Sequence, residues 1–423
     1  MSVARAFSGP RHGFVATAAP PGDKSLSHRA LILAAMAPGR SRIAGLGTGS
    51  DVAATAWALG RFGVRVDRGL VESRGIEAWT DSGAPIDTAN SGSTMRMLAG
   101  AVAGRPFVTR LTGDPSLLRR PMRRLVAPLG ALGAVITTSR AGTAPLTVAG
   151  GPLVGTAVWI PEASAQVRTA VALAALQATG TSSIDSPPGF RDHTERWLES
   201  LGLGHTLGPT TFEVRPGPVP PLELTVPADP SSAAFLWTAA ALTDGEVTTR
   251  GVSLNPGRTG LLDVLAAMGA SVVAVPRGDV LGDPVGDVTV RGPVRTGIDL
   301  SAELTVRTLD ELPLVALLAT VAEGATTVTD AAELRFKESD RIAATATMLA
   351  ALGGKIVVQP DGFTVHHGPL HPGAFFAGAD HRMAMAAAVA ATVAGTVTVV
   401  GIEAAGVSWP EFADTLETVW SSR

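Results

Sequence analysis

The chain has 423 residues, of which 46% are hydrophobic and 17% charged, and it contains neither cysteine nor tyrosine. This balance excludes intrinsic disorder, and the lack of cysteine excludes a disulfide scaffold, a thiolate-bound metal and a cysteine nucleophile. The formal net charge of −3 gives no support for a nucleic-acid partner. At roughly 150 residues per domain, the length predicts two or three domains. Only three of the 34 basic residues are lysines, namely Lys24, Lys337 and Lys355.

The N-terminal segment carries no apolar run followed by a small-residue cleavage site, so the chain is expected to be cytoplasmic. From residue 24 onward, six segments share one plan. Each opens with a polar or charged residue, continues as a helix rich in Ala, Leu and Val, breaks at glycine and enters a short β-branched strand. The segments start between 65 and 81 residues apart, at Lys24, Asn90, Ser164, Asp229, Asp310 and Asp380.

A second helix follows in each unit, and most of these helices end alike, with leucine or alanine before a glycine and then a strand. Examples are ALGRFGVRVD, PLGALGAVITT, SLGLGHTL, AMGASVVAV and ALGGKIVVQ. The last unit allows two interpretations, a membrane span or a buried helix followed by a strand, because residues 383–402 are 20 residues without a charge. Gly395 splits this stretch into an alanine-rich half and a Thr/Val-rich half. A buried helix followed by a buried strand is therefore predicted, and no membrane association.

Helices that are apolar on all sides are buried all round, so the helices should lie inside and the sheets outside. The sequence therefore predicts an α/β (α+β) fold, a two-lobe inside-out barrel of six repeated βαβαββ units. One lobe with three repeats is expected over residues 18–226. The other is expected over residues 1–17 plus 227–423, with the N-terminal strand pairing in this second lobe.

The starts of the helices carry the candidate chemistry, because unpaired backbone N–H groups there attract anions. Cations, hydroxyls and amides cluster at these starts, and arginine binds phosphate and carboxylate in a bidentate way. An anion-binding cleft follows if the two lobes face each other with these ends inward. The groups are Lys24, Ser25, Arg29, Asn90, Gly92, Ser93, Arg96, Arg119, Arg120, Arg123, Arg124, Ser164, Gln166, Arg168, Arg191, Arg258, Lys337, Arg341, His381 and Arg382.

Two acids stand out against these cations. Asp310 opens the fifth helix and Glu338 follows Lys337. Each has a structural alternative: Asp310 as an ordinary N-cap, and Glu338 as a capping acid in a first helical turn. Among cations each would stay ionised and could take a proton from a substrate. The Asp192-His193-Thr194-Glu195 run is predicted as an N-cap with its capping partner.

Six motifs carry a resemblance over nearly the full chain: PGDKSLSHR (21–29), NSGSTMR (90–96), GDPSLLRRPM (113–122), ASAQ (163–166), KESDR (337–341) and DHRMAM (380–385). In this order they resemble the 5-enolpyruvylshikimate-3-phosphate synthase family. The resemblance implies transfer of the enolpyruvyl group of phosphoenolpyruvate to the 5-hydroxyl of shikimate 3-phosphate, with release of phosphate through a tetrahedral intermediate. It implies a place in chorismate and aromatic amino-acid biosynthesis, no cofactor, no metal, and action as a monomer.

The resemblance also assigns roles to matching positions, with the first lobe on the shikimate 3-phosphate side and the second on the phosphoenolpyruvate side. Catalysis would fall to Asp310 as acceptor of the hydroxyl proton, to Glu338 as proton shuttle at the methylene carbon, and to Lys24. Shikimate 3-phosphate would contact Lys24, Ser25, Arg29, Ser164, Ala165, Gln166, Arg191, Asp310 and Lys337. Phosphoenolpyruvate would contact Lys24, Asn90, Gly92, Arg120, Gln166, Arg341 and Arg382.

Some positions depart from the family pattern. Ala165 stands where many members have a second serine, Phe190 lies near a tyrosine of others, and Val407 replaces a lysine that contacts phosphoenolpyruvate. Glu333 replaces an asparagine. The motifs look like the second, glyphosate-tolerant class, yet that class often has alanine at the position of Gly92. Because a methyl group there would crowd glyphosate, at least partial sensitivity is expected.

Three alternatives remain open. The UDP-N-acetylglucosamine enolpyruvyl transferases share the fold and chemistry, but they usually rely on a loop cysteine, and this chain has none. A relative acting on another cyclic alcohol is compatible with Ala165 and Val407. A non-catalytic anion-binding protein is disfavoured by Asp310 and Glu338, because a pure anion binder gains nothing from carboxylates there.

Overall fold

The computed structural model describes residues 2–10 and 12–422, and the chain divides into two compact units. The first unit comprises Gly22–Pro227 together with Asp279–Asp283. The second unit comprises the described residues up to Pro21, Ala228–Gly278, and those from Pro284 onward. Each unit has its own hydrophobic core.

The first unit contains six helices and twelve strands among its described residues. Its helices are α1 (Lys24–Met36), α2 (Ser50–Gly60), α3 (Gly92–Val102), α4 (Val126–Ala131), α5 (Ala165–Ala175) and α6 (His193–Ser200). Its strands are β3 (Pro38–Ala44), β4 (Arg65–Asp67), β5 (Leu70–Arg74), β6 (Ile86–Asp87), β7 (Val108–Thr112), β8 (Val135–Thr137), β9 (Leu146–Ala149), β10 (Ala157–Trp159), β11 (Ser182–Asp185), β12 (Gly204–Thr206), β13 (Phe212–Val214) and β14 (Glu223–Thr225).

The second unit contains the remaining described elements. Its helices are α7 (Pro230–Ala241), α8 (Gly260–Ala267), α9 (Ala302–Thr308), α10 (Leu312–Val321), α11 (Arg341–Ala351), α12 (His381–Ala394) and α13 (Phe412–Ser421). Its strands are β1 (Ala4–Ser8), β2 (Val15–Ala18), β15 (Glu246–Ser253), β16 (Ser271–Val280), β17 (Asp283–Arg291), β18 (Asp299–Leu300), β19 (Ala325–Val328), β20 (Lys355–Gln359), β21 (Gly362–His366), β22 (Gly373–Phe376) and β23 (Thr396–Val400).

Six small sheets share a pairing scheme, in which an edge strand runs parallel to its neighbour. In four sheets both parallel strands come from one repeat, as in β6 with β7 across α3, or β22 with β23 across α12. The other two sheets exchange strands: β14 pairs with β3, and β2 pairs with β15. The exchanged strands β2 and β14 lie just before residues 21 and 227, where the chain passes from one unit to the other.

The repeats have the predicted interior helices. All 12 residues of α7 are buried, including its serine and threonine side chains. Strands instead expose one face, as in the alternating burial of β23. The predicted division of residues 383–402 is confirmed, because α12 ends at Gly395 with φ of 88° and β23 follows. None of the described helices is long and apolar enough to cross a membrane.

The ends of the second helices also follow the sequence pattern. In each repeated ending, one glycine takes a left-handed backbone conformation that other residues rarely adopt. These residues are Gly63, Gly133, Gly202, Gly269 and Gly353, with φ between 72° and 105°. The N-terminal strand pairs as predicted, since β1 runs antiparallel to β23 in the second unit. One element was not predicted: the short helix α9 precedes Asp310.

Candidate active site

Three interior helices of the first unit begin with a capped turn. The Asp23 carboxylate accepts the Leu26 N–H at 2.8 Å, and the Ser91 hydroxyl accepts the Thr94 N–H at 3.2 Å. The Ser164 hydroxyl accepts the Val167 N–H at 3.4 Å, so this predicted ligand residue is also a helix cap. Capping leaves the following residues, Lys24, Gly92 and Ala165, as the first residues of their helices.

Lys24 lies beside an acid that the sequence analysis did not single out. Its Nζ is 3.0 Å from Oδ2 of Asp51, which lies in the first turn of α2. The pair is mostly buried, so the carboxylate fixes the ammonium group at the start of α1. Opposite charges at the two helix starts of one repeat were the available signal in the sequence.

Arg29 differs from a surface arginine because its guanidinium is enclosed by helices. Its Nε donates to the Thr194 hydroxyl at 2.7 Å, and Nη2 donates to the Thr169 hydroxyl at 2.9 Å. Its Nη1 donates to the Ser25 carbonyl at 2.9 Å. These bonds tie α1 to α5 and α6 and fix the guanidinium between them.

Asn90 and Arg120 are brought together at the start of α3. Arg120 Nη2 donates to the Asn90 side-chain oxygen at 2.7 Å, and Asn90 Nδ2 donates to Asp114 at 2.6 Å. A Cβ added to Gly92 would lie 2.8 Å from Arg96 Nη1 and 3.4 Å from Arg120 Nη1. The glycine therefore leaves room for two guanidinium groups over the first turn of α3.

A hydrogen-bonded bridge joins α3 to α5. Arg96 Nη1 donates to the Gln166 side-chain oxygen at 2.6 Å, and Gln166 Nε2 donates to the Ser93 hydroxyl at 2.8 Å. The bridge depends on a close helix crossing, because a Cβ on Gly100 would overlap the backbone carbonyl of Ala170. Among the predicted residues, this crossing places Gln166 next to the start of α3.

Two helix-start expectations need correction here. Arg168 is buried, donates to Glu195 at 2.6 Å and lies 3.8 Å from the centroid of the Phe190 ring, so it is an internal cation rather than part of an anion site. Asp192 is the N-cap residue of α6, as predicted, but the predicted side-chain capping is wrong. Asp192 accepts from Arg196 Nε at 2.9 Å and makes no side-chain capping bond, while Glu195 binds Arg168. Arg191 is half-buried just before α6.

In the second unit, one arginine holds the two acids predicted to be catalytic. Arg341 is almost fully buried at the start of α11, and its Nη1 donates to Asp310 at 3.3 Å. Its Nη2 donates to Glu338, and Nε donates to Asp380 at 2.9 Å. Asp310 and Glu338, 28 positions apart in the sequence, therefore share one guanidinium. Arg341 is enclosed by carboxylates, a setting that the motif alone did not indicate.

The electrostatics of this cluster follow from burial and charge. Burial disfavours the charged form of Arg341, but attraction to Asp380, Glu338 and Asp310 outweighs it and raises the pKa above its ordinary value. Burial likewise favours neutral Asp380, but Arg341 outweighs this and lowers the pKa of Asp380. Arg341 and Asp380 are therefore both ionised at neutral pH, and their ion pair fixes the guanidinium to which Asp310 and Glu338 are bound.

The structural alternatives for the two acids do not describe them. Asp310 lies in the 3₁₀ turn Leu309–Glu311 before α10, and Glu338 lies before α11, whose cap is Asp340. Lys337 Nζ is 4.0 Å from Asp310 Oδ1 and 2.8 Å from Glu333 Oε1. The site thus combines exposed edges of two acids with a lysine within ion-pair distance of one of them.

Arg382 completes the group of predicted residues in the second unit. Its Nη1 donates to Glu311 Oε1 at 3.2 Å and to the Asp310 carbonyl at 3.3 Å, and its Nη2 is 3.7 Å from Asp310 Oδ2. Glu311 was missed by the sequence analysis, although it is the second acid of the LDELP segment. Within residues 2–10 and 12–422, no group of three or more His, Asp or Glu side chains could hold a metal ion.

Comparison with known proteins gives the family. A sequence profile of EPSP synthase (3-phosphoshikimate 1-carboxyvinyltransferase) matches residues 12–416. The chain belongs to the EPSP synthase family. A protein from Roseiflexus castenholzii named 3-phosphoshikimate 1-carboxyvinyltransferase is 45% identical over 412 residues, covering 94% of this chain and 96% of the relative. One of the same name from Xanthomonas campestris is 43% identical over 401 residues, covering 93% and 92%.

Solved structures agree with this membership. An EPSP synthase from Acinetobacter baumannii has a TM-score of 0.86 and 33% identity, covering 99% of this chain and 98% of that one. The enolpyruvyl transferase NikO from Streptomyces tendae has a TM-score of 0.77 at 19% identity, so it shares the fold alone. The predicted fold class, six repeats with interior helices, is confirmed by the sheets described above and by the EPSP synthase structures.

Proposed function

We propose that this member of the EPSP synthase family transfers the enolpyruvyl group of phosphoenolpyruvate to the 5-hydroxyl of shikimate 3-phosphate. The observation that carries the proposal is the attachment of Asp310 and Glu338 to the single buried guanidinium of Arg341. Two carboxylates fixed side by side can serve two proton transfers without a diffusing acid or base. The matched profile and relatives supply the substrate class.

The reaction needs a proton at the methylene carbon of phosphoenolpyruvate, which Glu338 donates in our proposal after it has taken up a proton on binding of the anionic substrates beside it. Cationic character then develops at the adjacent carbon, and the 5-hydroxyl oxygen attacks it while Asp310 accepts the hydroxyl proton. The result is a tetrahedral adduct. Glu338 next removes a proton from the methyl carbon, the carbon–oxygen bond to phosphate breaks, and phosphate leaves with the proton that Asp310 had accepted. Positioning and charge neutralisation supply the catalysis.

Binding roles follow the motif positions. In this proposal shikimate 3-phosphate contacts Lys24, Ser25, Arg29, Ser164, Ala165, Gln166, Arg191, Asp310 and Lys337. Phosphoenolpyruvate contacts Lys24, Asn90, Gly92, Arg120, Gln166, Arg341 and Arg382. The cationic inventory supports this assignment, because both substrates are anions. A cytoplasmic location and a monomeric state belong to the same proposal.

A phosphate-release assay tests the function. The wild-type chain should release phosphate when given shikimate 3-phosphate and phosphoenolpyruvate together, and not when UDP-N-acetylglucosamine replaces the first. Asp310→Ala and Glu338→Ala should each lower kcat by about 100-fold or more, the usual scale for a general acid or base. Glu323→Gln, at an exposed site just after α10, is the control and should keep wild-type rates. Full activity in both alanine variants would contradict the assigned roles.

A further inference from the structure

Arg382 contacts a second acid besides Asp310, namely Glu311. Glu311 follows Asp310 in the 3₁₀ turn before α10 and is only 3% exposed. Its Oε1 accepts from Arg382 Nη1 at 3.2 Å and from the Ser231 hydroxyl. Neither the motifs nor the mechanism above uses this carboxylate. A buried acid needs compensation by donors, and here those donors include a guanidinium proposed to bind substrate.

The orientation of the Glu311 carboxylate is set by a chain of side chains from two other elements. Arg258 Nη2 donates to the Ser231 hydroxyl oxygen at 3.0 Å and to Asp229 Oδ1 at 2.9 Å. Because arginine has no acceptor, the Ser231 hydroxyl accepts from Arg258 and gives its own proton to Glu311. All four side chains are buried. The direction of every hydrogen bond from Arg258 to Glu311 is therefore fixed.

The consequence for Arg382 concerns which of its nitrogens are engaged by the protein. Within the described chain, its side-chain hydrogen bonds leave from Nη1, to Glu311 and to the Asp310 carbonyl. Nη2 makes only the longer ion pair with Asp310, at 3.7 Å. One corner of the guanidinium is anchored, while the donors on Nη2 and Nε can serve a ligand. An arginine anchored in this way loses little side-chain entropy when it binds an anion.

We propose that Glu311 is a positioning residue that, held by Ser231, orients Arg382 for the carboxylate or phosphate of phosphoenolpyruvate. The inference rests on the proposed function and adds a residue to it. Electrostatics alone would argue for the opposite effect, because a carboxylate near the guanidinium weakens the attraction for an anion. The proposal therefore requires that the gain from orientation exceeds this electrostatic loss, so that removing the charge of Glu311 raises the KM for phosphoenolpyruvate.

Glu311→Gln tests the proposal because it removes the charge and keeps the shape, and glutamine can still accept from Ser231. We expect the KM for phosphoenolpyruvate to rise about tenfold, the scale of one charged hydrogen bond, with kcat and the KM for shikimate 3-phosphate within about twofold of wild type. Ser231→Ala should raise the same KM about threefold, consistent with a weaker neutral contribution. The double variant should match Glu311→Gln, because Ser231 acts through Glu311.

The controls separate orientation from general damage. Glu323→Gln changes an exposed glutamate at the other end of α10 and should leave both KM values unchanged. Partial unfolding lowers the maximal rate but leaves KM unchanged. A rise in the KM for phosphoenolpyruvate therefore still reports on orientation even if Glu311→Gln is less stable. An unchanged or lower KM for phosphoenolpyruvate in Glu311→Gln would overturn the proposal, and so would an equal rise for both substrates.

Calorimetric titration of phosphoenolpyruvate in the presence of shikimate 3-phosphate, carried out in a Glu338→Ala background to prevent turnover, gives the same comparison of binding alone. If the wild-type chain binds phosphoenolpyruvate but releases no phosphate, the proposed reaction fails. Weaker binding to Glu311→Gln would still support the positioning role in that case. If Glu311→Gln binds as tightly as wild type while the wild-type chain turns over, the positioning role fails and the reaction stands.

Discussion

Individual residues at the helix starts have roles that depend on neighbours at another helix start of the same repeat. Lys24 depends on Asp51, and the proposed catalytic pair Asp310 and Glu338 depends on Arg341. The sequence predicted the residues that match motifs, because motifs preserve identity and spacing. It missed Asp51 and Glu311, since their partners, Lys24 and Arg382, are 27 and 71 positions away. Such pairings are created by the fold and leave no local pattern.

Gly92→Ala tests the space over the first turn of α3. The new Cβ would approach the ends of Arg96 and Arg120, which are flexible enough to move, so the variant should fold. Their displacement should raise the KM for phosphoenolpyruvate about threefold to tenfold, the scale of one weakened hydrogen bond. In the same assay, micromolar glyphosate should inhibit the wild type at least in part and the variant less.

The control for this variant is Gly60→Ala, since a Cβ at Gly60 would meet nothing within 4 Å. It should leave KM and inhibition at wild-type values. Wild-type turnover unaffected by micromolar glyphosate would contradict the expected sensitivity.

His28 provides a pH test. It is fully buried, its Nδ1 lies 2.7 Å from the Thr55 hydroxyl, and burial, with repulsion from Lys24 and Arg29, lowers its pKa to about 3. Between that value and the ordinary 6.5 of the unfolded chain, only the unfolded state binds the proton. The free energy of unfolding of the first unit should therefore fall by about 2 kcal/mol from pH 7 to pH 5 and stay level above pH 7 as far as this group is concerned.

Urea unfolding of wild type and His28→Asn at both pH values checks this. The asparagine variant has no group to titrate, so it should lose less stability between pH 7 and pH 5. An identical loss in both proteins would show that His28 does not contribute.

At the scale of elements, the helices that the sequence predicted best are the apolar interior ones, because their composition and glycine stops act locally. Residues around Asp310 and Lys337 were less predictable. The sequence placed them at helix starts, whereas the structure has 3₁₀ turns at Leu309–Glu311 and Ala332–Phe336. A 3₁₀ turn has the same composition as a first α-helical turn, so long-range contacts with Arg341 and Arg382 decide the geometry.

Gly100→Ala tests whether the crossing of α3 and α5 holds the bridge between Arg96 and Gln166. The Cβ would overlap backbone of α5, which cannot turn away as a side chain can. The helices must separate, and we expect the first unit to lose about 1–3 kcal/mol of unfolding free energy. Because the bridge spans the crossing, kcat/KM should fall as well.

Gly130→Ala is the matched control for this substitution. Gly130 lies in α4 and a Cβ there meets nothing within 4 Å, so alanine should be neutral or slightly stabilising. Both measurements use thermal unfolding and the phosphate-release assay. Wild-type stability in Gly100→Ala would mean that the crossing is looser than the structure shows.

For the whole molecule, two separate cores predict separable unfolding. Phe7 belongs to the core of the second unit and Phe62 to that of the first, and both are buried. Replacing either by alanine should cost its own unit about 3–5 kcal/mol. Differential scanning calorimetry should show that Phe7→Ala and Phe62→Ala lower different transitions. If both variants shift one common transition equally, the units unfold as one body.

The pairing of β1 with β23 has a consequence for synthesis of the chain. Ala4 pairs with Val400, so β1 leaves the ribosome long before the strand with which it pairs. Residues 22–227 can condense during translation, whereas the second unit cannot complete its β1–β23 pairing until residues 396–400 have been synthesised. Meanwhile the waiting segment carries Phe7 and Phe14 with nothing to cover them. Slow elongation past residue 228 would prolong that exposure.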